Sequence, residues 1–180
     1  MTAPQSVLRR FTTRFHPRSG ELFVYGSFFG GALSVFLFFQ SGNLLIIPFS
    51  LSCFLMTFYF QPFLDTESPQ IGADTSGIYV RKLGHIPWSV IEAFRVQRVA
   101  VRNVERACLQ IKLKDGWQNA INCLNKVPVH DRYTYRIWKK NRNNIIEVRL
   151  EHMLESSLVI EASIAEIWQN SPVFQDSNSS

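Results

Sequence analysis

The stretch that decides the fold reads LFVYGSFFGGALSVFLFF from Leu22 to Phe39 and LLIIPFSLSCFLMTFYFQPFL from Leu44 to Leu64, interrupted only by Gln40-Ser41-Gly42-Asn43. Neither run contains a charged residue, and they hold eleven and twelve Leu, Ile, Val or Phe residues respectively. At a rise of 1.5 Å per residue the two runs reach about 27 and 31 Å, against roughly 30 Å of bilayer hydrocarbon. Each branched or aromatic residue favours insertion by about 0.3 to 0.6 kcal/mol, which sums to several kcal/mol per run before Gly, Ser and Pro are subtracted. The reading is a transmembrane helical hairpin over residues 22–64. Pro48 and Pro62 fall near the two ends of the second run, where a missing amide is least disruptive.

The competing reading is a pair of buried core helices, but the rest of the chain offers too little apolar surface to cover them. A cleaved leader fits poorly, because the first run is long, lacks an A-x-A site and is followed at once by a second span. Arg9, Arg10, Arg14 and Arg18 precede the first span, whereas the connecting loop carries no charge. The positive-inside bias therefore places both termini in the cytoplasm. Tyr25 and Tyr59 fall at the expected inner boundary. Residues 1–21 form a basic amphipathic segment: at 100° per residue Val7, Leu8, Phe11 and Phe15 share an arc of about 100°, away from Arg9, Arg10 and Arg14. A helix ending near His16-Pro17 that lies on the membrane surface is expected, with Phe11 and Phe15 buried in the leaflet and Arg9, Arg10 and Arg14 on anionic lipid. The plainer alternative is a frayed tail that carries topology charges.

Gly26-Ser27-Phe28-Phe29-Gly30 is a GxxxG match inside the first span, extended by Gly31 and Ser34, so one face is nearly bare of side chain. Another backbone can approach that face closely. It either packs on the second span of the same hairpin or receives a second copy or a partner subunit.

Past Leu64 the composition changes abruptly. Residues 65–69, Asp-Thr-Glu-Ser-Pro, read as a linker to a soluble domain over 70–170 of about 100 residues, enough for one core. Period-two alternation appears over 78–83, 94–99 and 108–114, bounded by Ser76-Gly77, Gly84 and Asp115-Gly116. Asp115-Gly116 signals a hairpin that returns along Trp117 to Cys123. Ile145 to Leu150 alternates again, and Ser156 to Gln169 closes the domain as a helix with Ile160, Ile164, Ile167 and Trp168 on one face. The expected class is a membrane α-helical hairpin plus an α+β domain, an antiparallel sheet or partly closed barrel with a C-terminal amphipathic helix. Residues 171–180 read as a disordered tail.

Ile71-Gly72-Ala73-Asp74-Thr75-Ser76-Gly77-Ile78-Tyr79-Val80, followed by Gly84-His85-Ile86-Pro87-Trp88-Ser89-Val90-Ile91-Glu92-Ala93-Phe94, resembles bacterial membrane-anchored PH-like (pleckstrin-homology-like) proteins. In that mostly uncharacterised family a strand, a turn ending in Gly-Ile and a second strand lead to an Ile-x-Trp-x-x-Ile signature. The resemblance spans Leu22 to Gln169. It implies two N-terminal spans, a bacterial inner (cytoplasmic) membrane location and a PH-like fold, and no reaction. The turn Thr75-Ser76-Gly77 lacks the basic residues with which phosphoinositide-binding PH domains grip phosphates.

The chain carries a formal charge of +5. Between Lys126 and Arg142 six cations (Lys126, Arg132, Arg136, Lys139, Lys140, Arg142) face the lone Asp131, whereas Asn143 to Ser180 holds one Arg against six acids. Tyr133, Tyr135 and Trp138 interleave the basic stretch, a pattern suited to anionic headgroups, an acidic protein or nucleic acid. A solvated face paired with the acidic C-terminal segment fits it equally well. Nucleic acid is disfavoured, because the domain from Asp65 onward nets only +2.

Catalytic signals are sparse. His16, His85, His130 and His152 form no H-x-x-H pattern, and no G-x-S-x-G, P-loop or G-x-G-x-x-G occurs. Cys108 and Cys123 show no CxxC spacing, and reduced buried thiols are expected, although the two can face each other across the Asp115-Gly116 turn. No catalytic, cofactor-binding or metal-ligating residue is assigned. The expectation is a non-catalytic, membrane-anchored PH-like binding module, an accessory or scaffolding subunit docking a protein partner or a second copy. The alternative is a sensor or organiser of anionic lipid at the inner leaflet.

Overall fold

Unbroken apolar sequence produces two long helices, and alternating sequence produces most of the eight strands found among the described residues, in the computed structural model of the chain. It describes residues 10–18, 20–101, 104–114, 133–141 and 143–171. These fall into two units: one is built from 15–68 with 133–136, the other from 10–14, 69–114 and 137–171.

The first unit is the hairpin. Helix α1 spans Glu21–Ser41 and helix α2 spans Ile46–Phe60, continued by a 3-10 turn at Gln61–Leu64. Gly42 ends α1 in the left-handed conformation (φ 64°), which a residue without Cβ adopts freely, and its N–H bonds Phe38 O at 2.8 Å. Both helices are long and apolar enough to cross a membrane, with mean hydropathies of 1.9 over Glu21–Ser41 and 1.4 over Ile46–Leu64. Only 17% and 11% of those windows are buried, so these are not core helices; Leu22, Phe29, Phe39, Leu45 and Phe49 are each more than 60% exposed.

What holds α1 to α2 is close packing and hydroxyl hydrogen bonding. The Ser27 and Thr57 hydroxyls lie 2.9 Å apart, and Ser50 Oγ donates to Gly31 O at 3.3 Å. Beyond α2, Phe63 stacks on Phe15 (ring centroids 4.8 Å) and Tyr135 (4.6 Å), and the Tyr135 N–H bonds Tyr59 O at 2.9 Å.

The second unit is α+β. Strands β1 (Phe11–Thr13), β2 (Ile71–Ala73), β3 (Gly77–Val80) and β4 (Gly84–Pro87) form an antiparallel sheet in that order. The alternation expected to carry β3 through Leu83 stops at Val80, because Lys82 (φ 62°) and Gly84 (φ 107°) turn the chain. Gly77 is required for space: a Cβ there would stand 2.1 Å from Ile86 O. Pro87 then ends β4, and a 3-10 turn at Trp88–Val90 carries the chain out of this sheet.

Strands β5 (Ile91–Val101), β6 (Val104–Leu113), β7 (Trp138–Lys140) and β8 (Ile145–Arg149) form the second antiparallel sheet, in the order β5-β6-β8-β7. The corner at 87–91 therefore separates two four-stranded sheets, and the partly closed barrel expected from sequence is not formed: the sheets are not joined into a closed ladder. β5 pairs with β6 out to Val101↔Val104 in a long hairpin; the turn expected at Asp115-Gly116 falls outside the described residues.

Helix α3 (Ser157–Gln169) begins at Ser156, whose hydroxyl caps the Val159 N–H. Its Ile160, Ile164 and Ile167 are buried, as the periodicity predicted, and Trp168 packs edge-on to Phe94 at 5.1 Å. Glu161 reaches β5, pairing with Arg98, and Glu155 accepts from the buried Thr13 hydroxyl of β1. The core joins these parts: Ile78, Ile86, Trp88, Ile91, Leu109, Ile111, Ile146 and Val148 are all at most 2% exposed. Burying each such side chain contributes about 1.5–3 kcal/mol.

Candidate functional site

Three surfaces carry the residues singled out above, and the structure adds a fourth. On α1 the small-residue face is divided. A Cβ at Gly31 would meet the Phe54 ring at 3.1 Å and Cys53 Cβ at 3.3 Å, one at Gly30 would meet Cys53 Sγ at 3.7 Å, and Ser34 is buried. Gly30 and Gly31 thus serve the hairpin itself. Gly26 has nothing within 4 Å of an added Cβ.

The amphipathic N-terminal helix expected to end near His16-Pro17 is not what residues 11–13 form. Phe11, Thr12 and Thr13 are strand β1, paired with Ala73, Gly72 and Ile71. Backbone pairing with β2 and the Thr13–Glu155 bond supply partners that an isolated short helix would lack. Phe15, expected at the membrane surface, is buried against Phe63, whereas Arg10 and Arg14 are exposed; Arg9 lies outside the described residues.

The basic-aromatic stretch is likewise split. Tyr133 is exposed, but Tyr135 is buried in the aromatic group of Tyr59, Phe60 and Phe63. Arg136 is exposed, Trp138 is half-buried on β7, and Lys139 and Lys140 are exposed on the same strand. Lys126, Arg132 and Arg142 lie outside the described residues, as does Cys123.

Sequence reading did not join Asp74, Ser76 and His85, which the β3–β4 pairing brings together. Ser76 Oγ donates to Asp74 Oδ1 at 2.5 Å and lies 3.0 Å from His85 Nε2, which is itself 3.7 Å from Asp74 Oδ1. Partial burial by itself would raise the Asp74 carboxyl; hydrogen bonds from the Ser76 hydroxyl and the Ser76 and Gly77 amides, with nearby His85, outweigh it and hold the group below its ordinary value. One ring nitrogen faces both partners, whereas a serine–histidine–aspartate relay uses the two nitrogens separately. The trio therefore ties the Asp74–Gly77 turn, and the Trp88 indole N–H adds a 2.8 Å bond to Asp74 O. Beside it a cavity of about 240 Å³ is lined in part by Arg10, Phe11, Tyr79 and His85.

The fourth surface is the face of the second sheet turned away from α3. Register puts Ala93, Lys112 and Ile145 in one row across β5, β6 and β8, and Arg95, Gln110, Glu147 and Lys139 in the next, which continues onto β7. Arg95 Nε donates to Gln110 Oε1 at 2.8 Å, and Gln110 Nε2 donates to Gln97 Oε1 at 2.8 Å. Lys112 pairs with Glu92 at 2.6 Å. Ala93, Phe94, Arg95, Gln110, Lys112 and Ile145 line a cavity of about 350 Å³. Cys108, half-buried on this face, has its thiol pushed up to about 11 by burial, with Glu147 and Glu151 adding to the effect. Among the described residues no group of three or more His, Cys, Asp or Glu is placed to hold a metal ion. Comparison of the chain with protein-family models, curated proteins and solved structures found no match.

Proposed function

We propose that this chain is a membrane-anchored, non-catalytic binding module, an accessory or scaffolding subunit that docks a protein partner at the inner membrane of a bacterium. The observation that carries the reading is the hairpin of α1 and α2, whose apolar side chains lie exposed along both helices. Exposed apolar surface on that scale is stable in lipid and not in water. Arg10, Arg14 and Arg18 before α1, against an uncharged loop, favour both ends in the cytoplasm.

The α+β unit is then a cytoplasmic PH-like domain. Two antiparallel sheets followed by an amphipathic C-terminal helix support that assignment, as does the burial of Ile86, Trp88 and Ile91, the three signature positions. Docking suits the chemistry of the described residues, since the Asp74, Ser76 and His85 trio ties a turn and Arg95, Gln97 and Lys112 on the second sheet are exposed among them. The lipid-sensing alternative loses its apolar wedge, because Phe15 is buried and Phe11 belongs to a strand.

The test is chemical crosslinking in native membranes, followed by purification of the tagged full chain in mild detergent and quantitative mass spectrometry. A single protein enriched in near-stoichiometric amount is expected. A chain that crosslinks to nothing and runs as a bare monomer would overturn the docking role.

A further inference from the structure

Among the described residues, the outer face of the β5-β6-β8-β7 sheet carries five cations, Arg95, Arg106, Lys112, Lys139 and Arg149, against three carboxylates, Glu92, Glu147 and, beside Arg106 at 3.9 Å, Glu151. Toward the end of this face where Ala93, Lys112 and Ile145 share a row, the 350 Å³ cavity is lined by those three together with Phe94, Arg95 and Gln110, so that apolar and cationic side chains alternate around it. The geometry points to a docking site for an extended acidic segment of a protein partner, with one carboxylate on Arg95, a second on Lys112, and a small apolar side chain near Ala93 and Ile145. This rests on the docking reading above and names the partner's chemistry.

Three features select that occupant. Spacing comes first: Arg95 opposes Gln110, so it is the diagonal neighbour of Lys112, and such diagonal positions lie about 7–8 Å apart. Carboxylates at positions i and i+2 of an extended chain lie about 7 Å apart and point the same way, so they match the two cations in one pass.

Orientation is the second. Arg95 is held through Nε by the Gln110 amide, which is itself held by Gln97, and a guanidinium fixed in this way offers its terminal nitrogens to a carboxylate in fork geometry. Third, Glu92 already sits on Lys112 at 2.6 Å, as a carboxylate from the chain itself occupying half of the site. A solvent-exposed pair of this kind is weak and exchanges readily for a better-placed carboxylate. A bilayer is the poorer fit: Val99 is the one large apolar side chain on this face that is exposed among the described residues, leaving nothing to wedge into lipid.

The experiment uses the full chain in detergent micelles and a fluorescein-labelled peptide with the core Glu-Thr-Glu-Thr-Val, whose two carboxylates and valine share one face when extended, with Gln-Thr-Gln-Thr-Val as control. Binding is read by fluorescence anisotropy at low and high salt. The acidic peptide is expected to bind, with affinity falling as salt rises, and the control is not. Arg95→Glu with Lys112→Glu should weaken binding by about tenfold or more, because it places like charges together. Glu92→Gln should tighten binding about threefold by freeing Lys112, a gain that damage to the fold would not produce.

Equal binding of both peptides, indifference to the charge reversal, or weaker binding by Glu92→Gln would overturn the site. So would a reversal variant that binds the acidic peptide normally while the chain's association with phosphatidylglycerol vesicles is lost, since the face would then serve lipid. In the crosslinking test the two proposals separate. A partner still captured by the reversed variant refutes this site and leaves docking standing, whereas no partner on the unaltered chain refutes docking itself.

Discussion

Replacing Trp88 tests whether the signature positions build the β unit. Trp88 is 1% exposed, its indole N–H bonds Asp74 O at 2.8 Å, and its ring lies 6.5 Å from that of Trp168 on α3. It thus joins the turn after β2, the corner after β4 and the C-terminal helix. Trp88→Phe keeps most of the apolar volume and removes the hydrogen bond, worth about 0.5–1.5 kcal/mol net plus any strain from refilling the space. Trp88→Ala empties the site, at about 3–5 kcal/mol for a large aromatic in a packed core. At 1.4 kcal/mol per factor of ten, those losses speed hydrogen exchange of globally protected amides by roughly twofold to tenfold and by roughly a hundredfold to several thousandfold.

The assay is hydrogen exchange read by mass spectrometry on the full chain in micelles, with peptides from β2–β6 and α3 compared with peptides from α1 and α2. Faster exchange is expected across the β unit and little change in the hairpin, whose interhelical bonds are its own. Unchanged protection of β5 and β6 in Trp88→Ala would refute the reasoning, as would a loss spread evenly over both units.

Further outcomes follow from other sites. Gly31→Leu should loosen the hairpin by about 1–3 kcal/mol, because a Cβ already meets Phe54 and Cys53, while Gly26→Ala should be neutral or mildly stabilising; detergent-titrated helix unfolding followed by circular dichroism checks the order. Burial, helped by Arg149 and opposed by Glu151, holds His152 below the ordinary imidazole value of 6.5. The unfolded chain therefore binds that proton more readily, so its contribution to stability is present above pH 6.5 and lost as pH falls below it. Asp74 acts the same way further down, its contribution lost as pH falls below 3.8. Melting temperatures taken from pH 8 to 3 should fall in two stages, and a slope between pH 7 and 5 that persists in His152→Gln would contradict the first. Finally, in a chain whose only thiol is Cys108, alkylation at pH 8 should be slow until denaturant is added, because a group titrating near 11 is almost wholly protonated there.

The helical parts were legible because their signals are local. Runs of eighteen or more uncharged, mostly apolar residues and isoleucines spaced four and three apart announce α1, α2 and α3 without reference to the rest of the chain. The strands of the core were legible as alternation, but their partners were not. Phe11–Thr13 is too short to show a period and becomes a strand only by pairing with residues nearly sixty positions later. The β5–β6 turn carries a weaker sequence signal than Asp115-Gly116, so the pairing of the two strands it joins was not read from the sequence. The basic sheet face was invisible in sequence because it gathers residues from four strands, each contributing one or two cations. The stretch from Lys126 to Arg142 looked like a single surface, yet its described residues divide between a buried tyrosine and an exposed strand.

The account stands on the hairpin as a two-pass anchor, and thiol accessibility tests that most directly. In a chain with Cys53, Cys108 and Cys123 replaced, Ser41→Cys places a probe at the end of α1 and Glu67→Cys places one after α2, both at exposed positions. With intact spheroplasts and a membrane-impermeant maleimide, Ser41→Cys should label at once and Glu67→Cys only after the membrane is permeabilised. Equal labelling of the two before permeabilisation, or labelling of Glu67→Cys alone, would contradict the anchor and its orientation.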